Sequence, residues 1–366
     1  MGIKDLTAFL REHAPNSISK GNLSQFTSQF PKSRRLRAAI DTSLFMYKYK
    51  YKSGDNFIVD FLEQINRLLI NNIEPIYVFD GAPPSEKSDT LKSRKERKIN
   101  YQNKIKLLES QLQNMDSYLN TLSQEEKETT EEQSPPKTKD QIEKELKEEI
   151  NKIKRKTISV TSDDIGKLRY FLDIMNIKHI RKNMEADIVC SKLSSNNLVD
   201  FVISEDMDHL TSGTHILLRD FNNRNNYVTI YNLDVALETL KLSREKWINL
   251  CILFGCDYVS RIRGLGYKTS YKFLSNNLDK NFEQLLNVIV TTKKCNLPEN
   301  YLEKVGKAQK IFENNIDIQI DENFFTENKE VFDNQQQVVK DYLKKYTTFS
   351  DQKIKNRIKN IFGYCI

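Results

Sequence analysis

No apolar run in this 366-residue chain approaches the ~20 residues that a membrane-spanning helix needs, and the N-terminus lacks a positive-then-apolar secretory pattern. A soluble, intracellular protein without a membrane partner is expected. Cysteine is scarce and unpatterned: Cys190, Cys251, Cys256, Cys295 and Cys365 are odd in number and form no C-x-x-C pair. The four histidines stand apart from them, so neither a zinc site nor a disulfide framework is implied. "MGIKDL" offers a Gly2 but puts Leu6 where a myristoylation site needs Ser or Thr, so Gly2 requires another explanation.

What the chain does have is length for one large core or two modest ones, 38% hydrophobic residues, and a formal charge of +7. A basic balance suits a nucleic-acid partner, although many basic proteins bind none. Its distribution says more. Residues 1–56 hold ten Lys or Arg against four Asp or Glu, including "KSRRLR" and "YKYKYK". Lysines alternating with tyrosines can follow phosphates while the rings stack on bases.

"RLRAAIDTSLFMY" reads as a strand entering a helix, "FIVDFLEQINRLLINN" as an amphipathic helix, and "IEPIYVFDGAPP" as a strand closed by a Gly/Pro turn. A second set follows: "DDIGKLRYFLDIMN" as helix, "IKHIRKN" as strand, "EADIVCSKLSSNN" as helix and "LVDFVISEDMD" as strand. This alternation predicts an α/β fold, a mainly parallel sheet with helices on both faces and a ligand site beyond the carboxyl ends of its strands. Residues 85–156 are highly charged and helix-prone around "SQEEKETTEEQSPPKTK", and read as an insertion. "REKWINLCILFGCDYVSRIRGLGYKTSYKFL" is a helix, a glycine turn and a helix, and the tail beyond 321 is charged and asparagine-rich. The expected divisions are an N-terminal α/β region at 1–84, the insertion at 85–156, a second α/β and helical region at 157–320, and a tail at 321–366.

Asp41, Asp80, Asp206 and Asp208 all fall at predicted strand ends. Alternation with period 2 would point Asp206 and Asp208 to one side of a strand or its extension, where both can share a ligand. Two unit charges ~4 Å apart at an effective dielectric near 20 repel by about 4 kcal/mol, so a cation belongs between them. Carboxylates without His or Cys suit a hard ion, Mg²⁺ or Mn²⁺, and several suit two ions flanking a phosphodiester. For any single Asp, a helix cap or a solvated loop is the commoner use; four at strand ends shift the balance.

From "MGI" through "FDG-PP" and "EDMD" to "GCDY...IRGLG", the sequence resembles the flap endonuclease family of structure-specific 5′ nucleases over roughly residues 1–275. The resemblance implies a PIN-like sheet with a helical arch and a C-terminal helix-two-turn-helix, and seven metal-organising carboxylates. These are Asp41, Asp80, Glu185, Asp187, Asp206, Asp208 and Asp257. Asp187 departs from the family's usual Glu and, being shorter, is expected to reach a metal through water. Glu205 matches no ligand and is expected to serve local structure. Lys87 and Arg94, seven apart on one helix face, match the basic pair at the base of the family's arch. Tyr47 aligns with the tyrosine that stacks on a base beside the cut; taken alone, a core tyrosine is the alternative. Gly2 matches the processed N-terminus beside the active site, with Met1 removed. Gly264 and Gly266 match the turn that grips duplex DNA, often with a potassium ion, and Lys268 and Lys272 would add cationic contacts.

The activity so implied is hydrolysis of DNA phosphodiesters at a 5′ flap or duplex/single-strand junction, with two Mg²⁺ ions that Mn²⁺ can replace, during replication, repair or recombination. A mainly 5′-3′ exonucleolytic relative or a Holliday-junction resolvase shares these acids and differs mostly in the arch. A catalytically dead junction-binding scaffold has no need of all seven. Flapped or branched DNA is the expected partner and a monomer the expected state. "QQQVVKDYL" has Val at the aliphatic position and one aromatic, so a sliding-clamp partner is unsupported. Abundant Lys, Asn and Ile suggest an AT-rich genome, with the nucleus or a viral cytoplasmic factory as the place of work.

Overall fold

The computed structural model of the chain describes residues 2–31, 33–81, 88–115, 138–221, 226–313, 318, 320, 323–326, 334–347 and 349–362, with the backbone alone at 88–91 and 359–362. It divides into two units, one of residues 1–87 and 161–366, the other Ser88–Val160.

The larger unit is built on a seven-stranded sheet of β1 (Ile18–Asn22), β2 (Leu36–Asp41), β3 (Ile73–Phe79), β4 (His179–Arg181), β5 (Phe201–Ile203), β6 (Ile216–Arg219) and β7 (Tyr227–Asn232). Their spatial order is β1-β7-β6-β5-β2-β3-β4. β6-β5-β2-β3-β4 are parallel throughout, and β7 and β1 add an antiparallel edge. β2 is central and nearly continuously buried, as a parallel strand covered on both faces must be. Pro75 is tolerated within β3 because β4 begins to pair only at Tyr77.

The helices before the second unit are α1 (Leu6–His13), α2 (Leu23–Thr27), α3 (Thr42–Ser53) and α4 (Phe57–Ile70). The second unit holds α5 (Ser88–Gln113) and α6 (Lys139–Lys156). After it come α7 (Ser162–Ile174), α8 (Ala186–Ser195), α9 (Asp208–Thr211), α10 (Leu233–Leu240), α11 (Arg244–Phe254), α12 (Tyr267–Ser275), α13 (Phe282–Lys293), α14 (Tyr301–Glu313), α15 (Asn323–Thr326), α16 (Gln335–Tyr346) and α17 (Asp351–Phe362). On one sheet face Ala39, Ile76, Val78 and Val202 join a core with Phe9 of α1, Val189 of α8 and Trp247 of α11. On the other, Tyr77 packs edge-on against Phe61 of α4 at 5.7 Å and its hydroxyl donates to Gln64 at 2.9 Å. Alternate β3 side chains thus serve opposite cores.

α5 and α6 have a small core of their own, in which Ile105, Leu108 and Met115 meet Leu146, Ile150 and Ile153. Lys104–Glu149 and Lys154–Glu109 ion pairs flank it.

The charged tail folds rather than trailing. Val339 and Leu343 of α16, and Ile354 and Ile358 of α17, are buried. Gln335 donates to the Ile174 carbonyl at the end of α7, and Asn66 of α4 to that of Arg357. Pairs spaced i,i+4 form one apolar stripe on each helix, which the overall charge of the segment obscures.

Candidate active site

Three parallel strands deliver the first acids to one edge of the sheet. Asp41 is the last residue of β2, opposite Val78 of β3, and Ile40 before it is opposite Ile203, the last residue of β5. Strands in register lie about 4.8 Å apart, so Asp41, Asp80 just past β3, and the loop after β5 emerge side by side. Ser204 fastens two of them: fully buried, its hydroxyl donates to Asp41 Oδ2 at 3.0 Å and accepts from the Asp206 amide at 3.1 Å.

Asp206 and Asp208 meet, but not through strand alternation. β5 ends at Ile203 and Asp208 opens the short α9. The chain turns, and the Asp208 amide donates to Asp206 Oδ1 at 3.1 Å. This is an Asx-type turn, in which a side chain closes the loop on the backbone two residues on. Gly2 sits against it with φ +83°; a Cβ there would lie 2.1 Å from Asp206 Oδ1 and 2.5 Å from Asp208 Oδ1. Only a residue without a Cβ fits against those oxygens in this conformation.

Asp80 and Glu185 are drawn together by a close backbone approach. Gly81 donates to the Met184 carbonyl at 2.8 Å, and a Cβ on Gly81 would fall 2.1 Å from the Lys182 carbonyl oxygen. Asp80 Oδ1 then accepts from the Ala186 amide at 2.9 Å, satisfying an otherwise orphan donor of the first turn of α8. Glu185 is the N-cap residue of that helix, and its Oε2 accepts from the Tyr258 hydroxyl at 3.1 Å. Asp187 Oδ1 turns to the Ile188 amide at 2.8 Å. Asp257 lies just beyond Gly255, whose φ of +90° ends α11.

Buried neighbours register these charges together. Burial, then Asp41, Asp187 and Asp80, push the Cys190 thiol well above its ordinary value. Cys256 is pushed up to about 12 by burial and by Asp208 and Asp257 among others. Tyr258 is raised by burial and then by Asp187, Glu185 and Asp208. For His209 burial disfavours the imidazolium, yet its 3.3 Å contact with Asp41 and the charges of Asp187 and Asp206 outweigh that, and the net shift is upward. Each of the seven acids thus acts on at least one of these four buried groups.

Among the described residues no three His, Cys, Asp or Glu side chains converge closely enough to ligate one ion. Protein donors explain the spacing: Ser204 and His209 hold Asp41, Ala186 holds Asp80 and Tyr258 holds Glu185, while like charges repel. The donor set is carboxylate oxygen, and Gly2 sits against two of its members, Asp206 and Asp208. That chemistry fits hard divalent cations and not zinc or copper.

Glu205 is engaged elsewhere, ion-paired to Lys48 at 2.9 Å and accepting from the Asp220 amide at 3.3 Å. Each of the three lysines of "YKYKYK" meets an acid in the fold. Lys48 pairs with Glu205, Lys50 with Asp164 and Lys52 with Asp60. Of the tyrosines, Tyr49 is buried against Phe45 and Phe61, whereas Tyr47 is 48% exposed, which removes the core alternative for it.

Lys87 lies outside the described residues, and Arg94 is exposed on α5 in the second unit. In the loop before α12, Gly264 has φ +80° and Gly266 is the N-cap residue, and an added Cβ would meet nothing within 4 Å at either. Lys272 is exposed; Lys268 is exposed as well but pairs with Glu12 of α1 at 2.9 Å. Sequence reasoning missed Ser204, His209 and Tyr258. Their proximity to the acidic motifs was the available signal, but it does not say which carboxylate each one holds.

Residues 1–101 match the XPG N-terminal domain and residues 176–257 the XPG I-region. Flap endonuclease 1 of Cryptosporidium muris is 29% identical over 319 residues, covering 80% of this chain but only 59% of the relative. That of Phaeosphaeria nodorum is 31% identical over 320 residues, covering 82% of this chain and 70% of the relative. The catalytic core of Rad2, solved in complex with DNA substrate, aligns with a TM-score of 0.65 at 19% identity, covering 98% of this chain and 100% of that one, and so shares its fold. With both family regions in order and a relative above 30% identity over most of both chains, the chain belongs to the XPG and flap endonuclease superfamily.

Proposed function

We propose that this protein is a structure-specific 5′ nuclease, hydrolysing DNA phosphodiesters at 5′ flaps or duplex/single-strand junctions. The observation that carries the reading is the meeting of Asp41, Asp80 and the Asp206–Asp208 turn at the carboxyl end of the parallel strands, with Gly2 seated against the oxygens of the last two. An inactive scaffold would not need acids that repel one another at a cost to stability. The relatives named flap endonuclease 1 support the same activity.

Asp41, Asp80, Glu185, Asp187, Asp206, Asp208 and Asp257 would hold two Mg²⁺ ions, or Mn²⁺ in their place. When bound, such ions supply Lewis-acid activation of water and stabilise charge on the leaving 3′ oxygen. The chain's own part is positional. Ser204 and His209 orient Asp41, Ala186 fixes Asp80, and Tyr258 orients Glu185. Tyr47 offers a ring face to a base beside the cut. Arg94 of the second unit, and Lys87 outside the described residues, are the cations that the family resemblance assigns to the scissile phosphate. Gly264 and Gly266, with Lys272 and a potassium ion, would grip the duplex. Lys268 joins them by leaving Glu12, a rearrangement that costs little for an exposed pair.

The test is direct. End-labelled 5′-flap, 3′-flap, nicked, four-way and single-stranded DNA are incubated with Mg²⁺ and the cuts mapped, for wild type and for Asp80→Ala and Asp208→Ala. Cleavage near the 5′-flap junction that collapses in both variants while flap binding persists is expected. Unchanged cleavage in either variant would sink the assignment.

A further inference from the structure

Residues 335–362 hold seven Lys or Arg against two Asp, a local excess of positive charge carried on α16 and α17. These helices and α7 carry none of the seven carboxylates. Where α16 packs on α7, three tyrosines form a row. Tyr342 stacks on Phe171 with centroids 6.0 Å apart and an 18° tilt, and its hydroxyl donates to the Lys167 carbonyl at 2.8 Å. Tyr170 lies 5.3 Å to one side of it and Tyr346 4.8 Å to another. Packing accounts for Tyr342. It does not account for Tyr170, which is 52% exposed, or for the half-buried Tyr346.

Cations gather at one end of the row. Lys167 and Lys345 place their ammonium groups 5.6 and 5.3 Å from the Tyr346 ring centre. Lys167 also pairs with Asp163 at 2.6 Å, but Asp163 is 74% exposed and the pair is an ordinary i,i+4 surface contact. Such an exposed pair is weak and yields readily to a phosphate.

From this geometry we propose that the α7–α16 face is a binding surface for single-stranded DNA, distinct in its residues from the carboxylate site. Tyr170 and Tyr346, on either side of Tyr342, can each take a base, and the lysines match the backbone charge. A duplex hides its base faces and cannot use the rings. An acidic peptide could satisfy the lysines but would leave Tyr170 without a stacking partner.

The experiment uses the full chain in EDTA, where no cut occurs, so its outcome is independent of the nuclease reading. Fluorescence anisotropy of labelled oligothymidylate is measured for wild type, Tyr170→Ala, the double variant Tyr170→Ala/Tyr346→Ala, and the corresponding double Phe variant, each checked for an unchanged melting transition. Stacking predicts that the Kd rises about fivefold or more for the single Ala variant and at least about tenfold for the double, while the Phe variant stays within about twofold. Lys167→Gln with Lys345→Gln should flatten the plot of log Kd against log salt by about 1.4, at ~0.7 per cation on a single strand. Unaltered affinity in Tyr170→Ala, whose exposed side chain can be removed without unfolding the chain, would overturn the proposal, as would equal competition by polyglutamate.

Discussion

Gly2→Ala is the sharpest test of how the acidic turn is built. The added Cβ would sit 2.1 Å from Asp206 Oδ1, 2.5 Å from Asp208 Oδ1 and 2.9 Å from the Asp208 amide, where ordinary contact begins at 3.4 Å. The two carboxylates or the N-terminal segment must therefore move by more than an ångström. Neither move is cheap. Asp206 is tied by its contacts to Ser204 and to the Asp208 amide, and Ile3, next to Gly2, is buried. Alanine at φ +83° adds roughly 1–2 kcal/mol of backbone strain. A displacement near 1 Å of groups that organise a reaction costs about 10²-fold in rate. Single-turnover cleavage of a 5′-flap substrate in Mg²⁺ should thus fall about a hundredfold, while flap affinity in EDTA changes by less than about threefold, since phosphate contacts dominate binding. Wild-type cleavage by Gly2→Ala would refute the argument that the absent Cβ lets the two carboxylates keep their places.

How much of this was legible beforehand differs by element. The β-α-β units and the parallel sheet followed from alternating apolar runs, because strands such as "LRAAID" are buried on both faces and announce themselves. The acids followed from their place at strand ends, and the family resemblance gathered all seven. The antiparallel edge was not legible: β1, "ISKGN", is half polar and takes its partner, β7, from more than 200 residues away. The partners of "YKYKYK" were illegible for a related reason. Its lysines look available in one dimension, but Glu205, Asp164 and Asp60 reach them only in the fold. The Asp206–Asp208 pair was anticipated for the wrong cause, since a turn does what strand alternation was expected to do. In the tail, Val339/Leu343 and Ile354/Ile358 carried a helical spacing that the charge around them concealed.

Two further variants probe the supports of the site. Ser204→Ala removes a fully buried hydroxyl that bridges Asp41 and the Asp206 amide, so urea unfolding should show a loss of about 1–3 kcal/mol and kcat should fall more than KM changes; identical unfolding and kinetics would exclude the bridge. Asp164→Asn tests the anchor at the start of α7, where burial disfavours the charge but Lys50 and the Thr161 cap more than compensate, holding the carboxyl below its ordinary value. A depressed folded-state pKa means that the stabilisation is complete above the unfolded value of about 3.9 and is lost as pH falls through the lower folded one. Urea midpoints should therefore be lower for the variant at pH 7, and the gap from wild type should narrow as the pH drops below about 4. A gap of constant size down to acid pH would mean that the ionised carboxylate contributes nothing, and that the capping geometry alone holds the first turn of α7.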